Sequence, residues 1–141
     1  MLVYYHGSDQ KSIYNICNKG ANISKGGGEL GQGFYIGSSM WRACSWAWRK
    51  ANEGKNDYNV LVYEIDDINL KNLKIVRWGR RKTLEEYKKR KKERTTETWI
   101  SGNDAIWAPI VGGNIRDVMQ IKFESDVGQN FINQQKHTLL W

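Results

Sequence analysis

The chain has 141 residues, with 22 Lys and Arg against 15 Asp and Glu, for a net charge of +7. That length fits one domain with its own core, and two cysteines cannot make a disulfide framework. No Cys/His cluster has zinc spacing and no apolar run approaches the roughly eighteen residues of a membrane span, so no metal and no membrane are expected, and a reducing, cytoplasmic setting is.

An alternating run, Leu2, Val3, Tyr4 and Tyr5, predicts a strand over 2–6 that delivers His6 to a Gly7-Ser8 turn. With a strand expected from the first residues, no signal peptide is expected. Ser8 or Asp9 can cap a helix over 11–18 that stops at Gly20. Residues 24–33 are glycine-dense and predict an irregular loop. A short strand over 34–37 follows, then a helix over 40–52 capped by Ser38 or Ser39 and stopped by Gly54. Residues 59–65 and 73–78 predict strands, as do 104–111 and 118–124, with a charged helix or hairpin arm over 83–97 between them. The tail over 131–141 is ambiguous, with Leu139, Leu140 and Trp141 packing back as a last strand. Strands dominate, without repeats or a dividing linker. The expected class is α+β, with residues 1–141 as one domain.

Nine of the 22 basic residues fall within residues 80–94, bordered or interrupted by Trp78, Tyr87 and Trp99. This run fits a surface that tracks phosphates and stacks bases. Charge runs are more often solvated faces, here a helix with Glu85–Lys89 and Glu86–Arg90 as i,i+4 pairs. Seven tryptophans are many for this length, and they predict core or groove lining.

The order His6-Gly7-Ser8, then Gly31-Gln32-Gly33-Phe34-Tyr35, then a helix with Ala43 and Trp46, resembles the ADP-ribosyltransferase superfamily. The likeness is to its His-Tyr-Glu branch, which includes diphtheria-type toxins, poly-ADP-ribose polymerases and small bacterial domains. The resemblance implies a split β-sandwich of two small sheets whose cleft binds NAD as substrate. It assigns His6, Gly7 and Ser8 to the dinucleotide, with the Gly7 backbone on the carboxamide. It places Gly31, Gly33 and Phe34 around Tyr35, which would stack on the nicotinamide, and Trp46 at a second aromatic wall. Read from its helix alone, Trp46 fits core packing with Met40 and Ala43 as well. Gly26-Gly27-Gly28 fits a loop along the pyrophosphate or plain flexibility.

At the branch's third position, usually glutamate, stands Gln120. Alternation puts Gln120, Lys122 and Glu124 on one strand face, and Glu124 lies about 13 Å further along. A neutral amide in place of a carboxylate loses about 1–2 kcal/mol of transition-state stabilisation, a five- to thirty-fold slowing. Gln120→Glu is therefore expected to raise the rate. The implied catalytic set is His6, Tyr35 and Gln120. The implied activity is transfer of one ADP-ribose to a protein or nucleic acid held by residues 80–94, in the manner of a toxin or effector. The alternatives are a catalytically weak or inactive module of the same fold that binds nucleic acid through residues 80–94, and an NAD glycohydrolase.

Overall fold

Asp9 ends one element and starts the next in this computed structural model, which describes residues 1–113 and 116–141. β1 (Leu2–Asp9) runs straight through the turn expected at Gly7-Ser8, so His6 lies within a strand rather than at its end. The Asp9 carboxylate then caps α1 (Gln10–Lys19) by accepting from the Ser12 N–H at 3.3 Å. Gly20, at φ +85°, closes that helix with its N–H on the Ile16 carbonyl. After the glycine loop come β2 (Phe34–Gly37) and α2 (Met40–Lys50), whose N-cap is Ser39. β3 (Tyr58–Ile65), a single turn α3 (Asp67–Leu70), β4 (Ile75–Arg77) and the basic α4 (Arg80–Glu93) follow. β5 (Ala105–Pro109), β6 (Met119–Phe123), α5 (Asp126–Asn133) and β7 (Lys136–Leu139) complete the chain.

The class is α+β. The strands run in the order β4-β5-β6-β2-β1-β3-β7, as one hydrogen-bonded sheet where two were expected. Its two halves are unequal partners at the join. β1 meets β3 over all eight residues, from Leu2↔Ile65 to Asp9↔Tyr58, and β2 meets β6 from Phe34↔Phe123 to Gly37↔Gln120. Between β1 and β2 a single pair, Tyr5↔Gly37, holds the sheet together.

One core underlies both halves. Tyr4, Leu61 and Tyr63 from one side meet Phe34, Ile36, Ile121 and Phe123 from the other, together with Phe131 and Ile132 of α5. Each of these large apolar side chains contributes about 1.5–3 kcal/mol on burial. α2 packs on the opposite face, with Ala43 and Ala47 against Val60. Trp46 does not join that packing. It is 53% exposed, which rules out the core alternative for this residue.

α5 and α3 were not anticipated. Asp126, Val127, Gly128 and Asn130 are weak helix formers. What stabilises α5 is the Ser125 cap on the Gly128 N–H at 3.0 Å and the burial of Phe131 and Ile132. β7 forms over Lys136–Leu139, so Leu140 and Trp141 lie beyond the last strand rather than in it.

Candidate active site at the parting of two strands

Backbone alternation decides what the parted strands present. The Gln10 N–H donates to Asp57 O at 2.9 Å in register with the β1–β3 ladder. The even residues of β1 therefore turn N–H and C=O toward β3, and the odd ones, Tyr5 and Gly7, turn theirs toward β2. Tyr5 meets Gly37 there. Gly7 comes after the strands have separated, so its donor and acceptor face the gap. On the other bank the Ser38 N–H donates to Met119 O at 2.8 Å, which by the same alternation turns the Tyr35 carbonyl toward β1.

His6 fills the first step of the gap. Its Nδ1 lies 2.6 Å from the Tyr35 carbonyl, and its ring stacks on Phe34 with centroids 4.3 Å apart. A carbonyl only accepts, so Nδ1 carries the proton and, in the neutral ring, Nε2 is an acceptor. Burial holds the imidazole below its ordinary range; the Tyr35 carbonyl works the other way, and Lys50 adds to the lowering. With the folded value depressed, the unfolded chain takes up the proton first. His6 should thus cost stability as pH falls through about 6.5. Thermal melts of the parent should decline between pH 7 and 5, and His6→Gln should flatten that slope. Equal slopes would mean that burial does not hold the ring neutral.

A groove of about 1160 Å³ opens around these residues. Gly7 and Ser8 line it from β1 and Tyr35 from β2, and α2 contributes Trp41, Arg42, Trp46 and Arg49. Lys19, Lys25 and Lys50 bring the basic residues on its wall to five, against two acids, Glu29 and Glu97. Ser8 is buried and its hydroxyl donates to Asp9 Oδ1 at 3.0 Å.

Tyr35 is anchored by its far end. Its hydroxyl accepts from the Leu30 N–H at 3.0 Å and donates to the Gly31 carbonyl at 2.5 Å. Burial pushes that hydroxyl far up from its ordinary range. The ring thereby braces the glycine loop, whatever it also offers a ligand. Gly31 is obligatory there: it sits at φ +91°, and a Cβ would lie 2.3 Å from Trp99 O.

Gln120 reaches the groove from β6 and is buried. Its Nε2 donates to Pro109 O at 3.2 Å and to Glu29 Oε1 at 3.0 Å. Both neighbours are acceptors, which fixes the amide's orientation and leaves Oε1 as the atom available to a ligand. Glu29 was not anticipated. Its signal in the sequence is a lone acid inside a glycine loop of a basic chain. The expected gain from Gln120→Glu changes accordingly, because the new carboxylate would face Glu29.

Not every basic residue of 80–94 lies on the surface. Arg90 is buried at 2% exposure, lies over Trp99 at 4.2 Å and pairs with Glu93 at 3.4 Å, so it does not belong to the surface. The pairs on α4 include Arg81–Glu85 at 3.7 Å and Lys82–Glu86 at 3.0 Å; Glu86–Arg90 is long at 4.0 Å, and Glu85–Lys89 does not form. The other eight basic side chains of the run are exposed. Among the described residues no acidic, His and Cys cluster fits a metal ion, and no helix is long and apolar enough to cross a membrane.

These features define an α+β protein with a basic, tryptophan-edged groove where two strands of its sheet separate. By its sequence the chain belongs to the family described as protein of unknown function (DUF3990), whose model matches residues 1–137. No curated protein and no solved structure matches it.

Proposed function

We propose that this protein binds NAD in the groove, breaks the nicotinamide–ribose bond and transfers one ADP-ribose to a macromolecular acceptor. The reading starts from the resemblance to the His-Tyr-Glu ADP-ribosyltransferases, and in it the parted sheet corresponds to their split β-sandwich. The observation that carries it is the placement of Gly7 just beyond the Tyr5–Gly37 pair, with its N–H and C=O turned to the gap beside His6. A carboxamide needs one donor and one acceptor in a plane, and glycine offers both with no side chain in the way. Nε2 of His6 accepts from a ribose hydroxyl. The five basic side chains on the wall suit a pyrophosphate, and the half-exposed indole of Trp46 suits a planar ring.

The chemistry balances without a further reactant. The bond from ribose C1′ to the nicotinamide nitrogen breaks, and its electron pair leaves with neutral nicotinamide. The acceptor's nucleophile bonds to C1′ and gives up its proton to solvent. The exposed basic side chains of α4 favour an acceptor with phosphates or a dense acidic surface. Water in the acceptor's place gives an NAD glycohydrolase. A module that binds nucleic acid through α4 without cleaving NAD is the competing reading.

Nicotinamide release from NAD, alone and with cell extract or nucleic acid, separates the three. Calorimetry checks the groove. Trp46→Ala should weaken NAD binding at least about five-fold, the loss of about 1 kcal/mol of stacking. Trp48→Ala should leave it unchanged, since Trp48 lies off the groove beside Gly54. A parent protein that does not bind NAD would overturn the proposal.

A further inference from the structure

Gln120 is one half of a pair. Its partner Glu29 lies 91 positions earlier in the chain, in the loop that crosses the groove. Three donors fix the Glu29 carboxylate: the Val111 N–H at 2.9 Å, the Gly112 N–H at 2.6 Å and Gln120 Nε2 at 3.0 Å. Two of these are main-chain amides, so the charge is held by backbone rather than by a mobile side chain. A Cβ at Gly112 would come within 2.5 Å of Glu29 Oε2, so the segment is shaped to let the carboxylate in. Among the described residues no donor cradles the groove's other acid, Glu97. Its Cγ lies instead beside Gly27, 2.8 Å from where a Cβ would be.

Breaking a glycosidic bond leaves positive charge on the sugar, and a preorganised negative charge nearby lowers that barrier. A buried amide cannot supply the charge, but a fixed carboxylate beside it can. We infer that Glu29 supplies the negative charge that Gln120 lacks, while Gln120 presents its Oε1 to a sugar hydroxyl. One function is thus divided between an amide on β6 and a carboxylate in the glycine loop. The inference rests on the NAD-cleaving reading and assigns the electrostatic part of that reaction to a residue outside the His6, Tyr35 and Gln120 set. It also accounts for glutamine at position 120. With Glu29 in place, a second carboxylate at 3.0 Å would oppose the first.

The test is an exchange of the two groups, read by nicotinamide release across pH 5–8 with melting curves alongside. Glu29→Gln keeps shape and can still accept from one backbone amide; it should lose ten-fold or more in rate at pH 7. Gln120→Glu should also fall below the parent at pH 7 and recover toward acid pH, as one proton comes to be shared by the two carboxyl groups. The double variant Glu29→Gln/Gln120→Glu restores one carboxylate and one amide, and should regain most of the rate of the parent with its pH profile. A bracing role for Glu29 alone predicts otherwise: the rate would follow the melting temperature, the exchange would not rescue, and the profile of Gln120→Glu would keep the shape of the parent's. That result overturns the inference. A parent that releases nicotinamide, matched by Glu29→Gln, also overturns it and leaves the NAD reading standing. A parent that releases none removes that reading and this inference together.

Discussion

Glu124→Ala is expected to destabilise the protein by about 3–5 kcal/mol, because it strands a buried ammonium. Lys122 is wholly inaccessible and its Nζ lies 2.7 Å from Glu124 Oε2. Burial pulls the Lys122 ammonium below its ordinary range, the Glu124 carboxylate opposes that, and Arg90 adds to it. Glu124 is engaged on its other side too: it accepts from the Ser101 N–H at 2.8 Å, the Asn103 N–H at 3.2 Å and the Ser101 hydroxyl. Such a carboxylate has no free face to offer a substrate, so Glu124 is a structural residue. The melting temperature should fall by roughly 10–15 °C. Lys122→Met combined with Glu124→Gln, which removes both charges, should recover most of the loss. A single variant that melted with the parent would show that the ion pair contributes nothing.

Gly7→Ala should be nearly as damaging, through the backbone. A Cβ at Gly7 would lie 2.0 Å from Ala43 O and 2.8 Å from Ala43 C, both main-chain atoms of α2. The helix would have to lift, at a cost toward the upper end of the about 1–3 kcal/mol typical of overpacking. With it would move Arg42 and Trp46, so affinity for a groove ligand should fall alongside stability. Gly37→Ala is the control, since its nearest contact is Met119 O at an ordinary 3.6 Å. Melting curves in which the two variants coincide would refute this account of Gly7.

The same glycine shows where local reading stops. Gly7-Ser8 reads as a turn because glycine and serine favour turns, yet the strand continues, and the glycine answers to a helix packed above it. Signals that act within a few residues were legible. Asp9 and Ser39 cap the helices expected of them, Gly20 ends α1, and the alternation over 118–124 puts Gln120, Lys122 and Glu124 on one face. Signals that act across the chain were not. Glu29 meets Gln120 only because the glycine loop folds across β6, and Arg90 is buried only because Trp99 comes back over it. α5 was invisible because its own residues favour it little and the core stabilises it instead.

The lone rung between β1 and β2 makes this protein's stability a reporter of what it holds. Side chains beneath bind the halves to each other, while the hydrogen-bond ladder above is interrupted at the groove. A ligand that bonds Gly7 on one bank and Gln120 on the other replaces the missing rungs with its own. Binding to the folded state alone adds RT ln(1 + [L]/Kd), about 2.7 kcal/mol at a hundred times Kd. The melting temperature thus becomes an assay in its own right, one that ranks candidate ligands of the groove against one another.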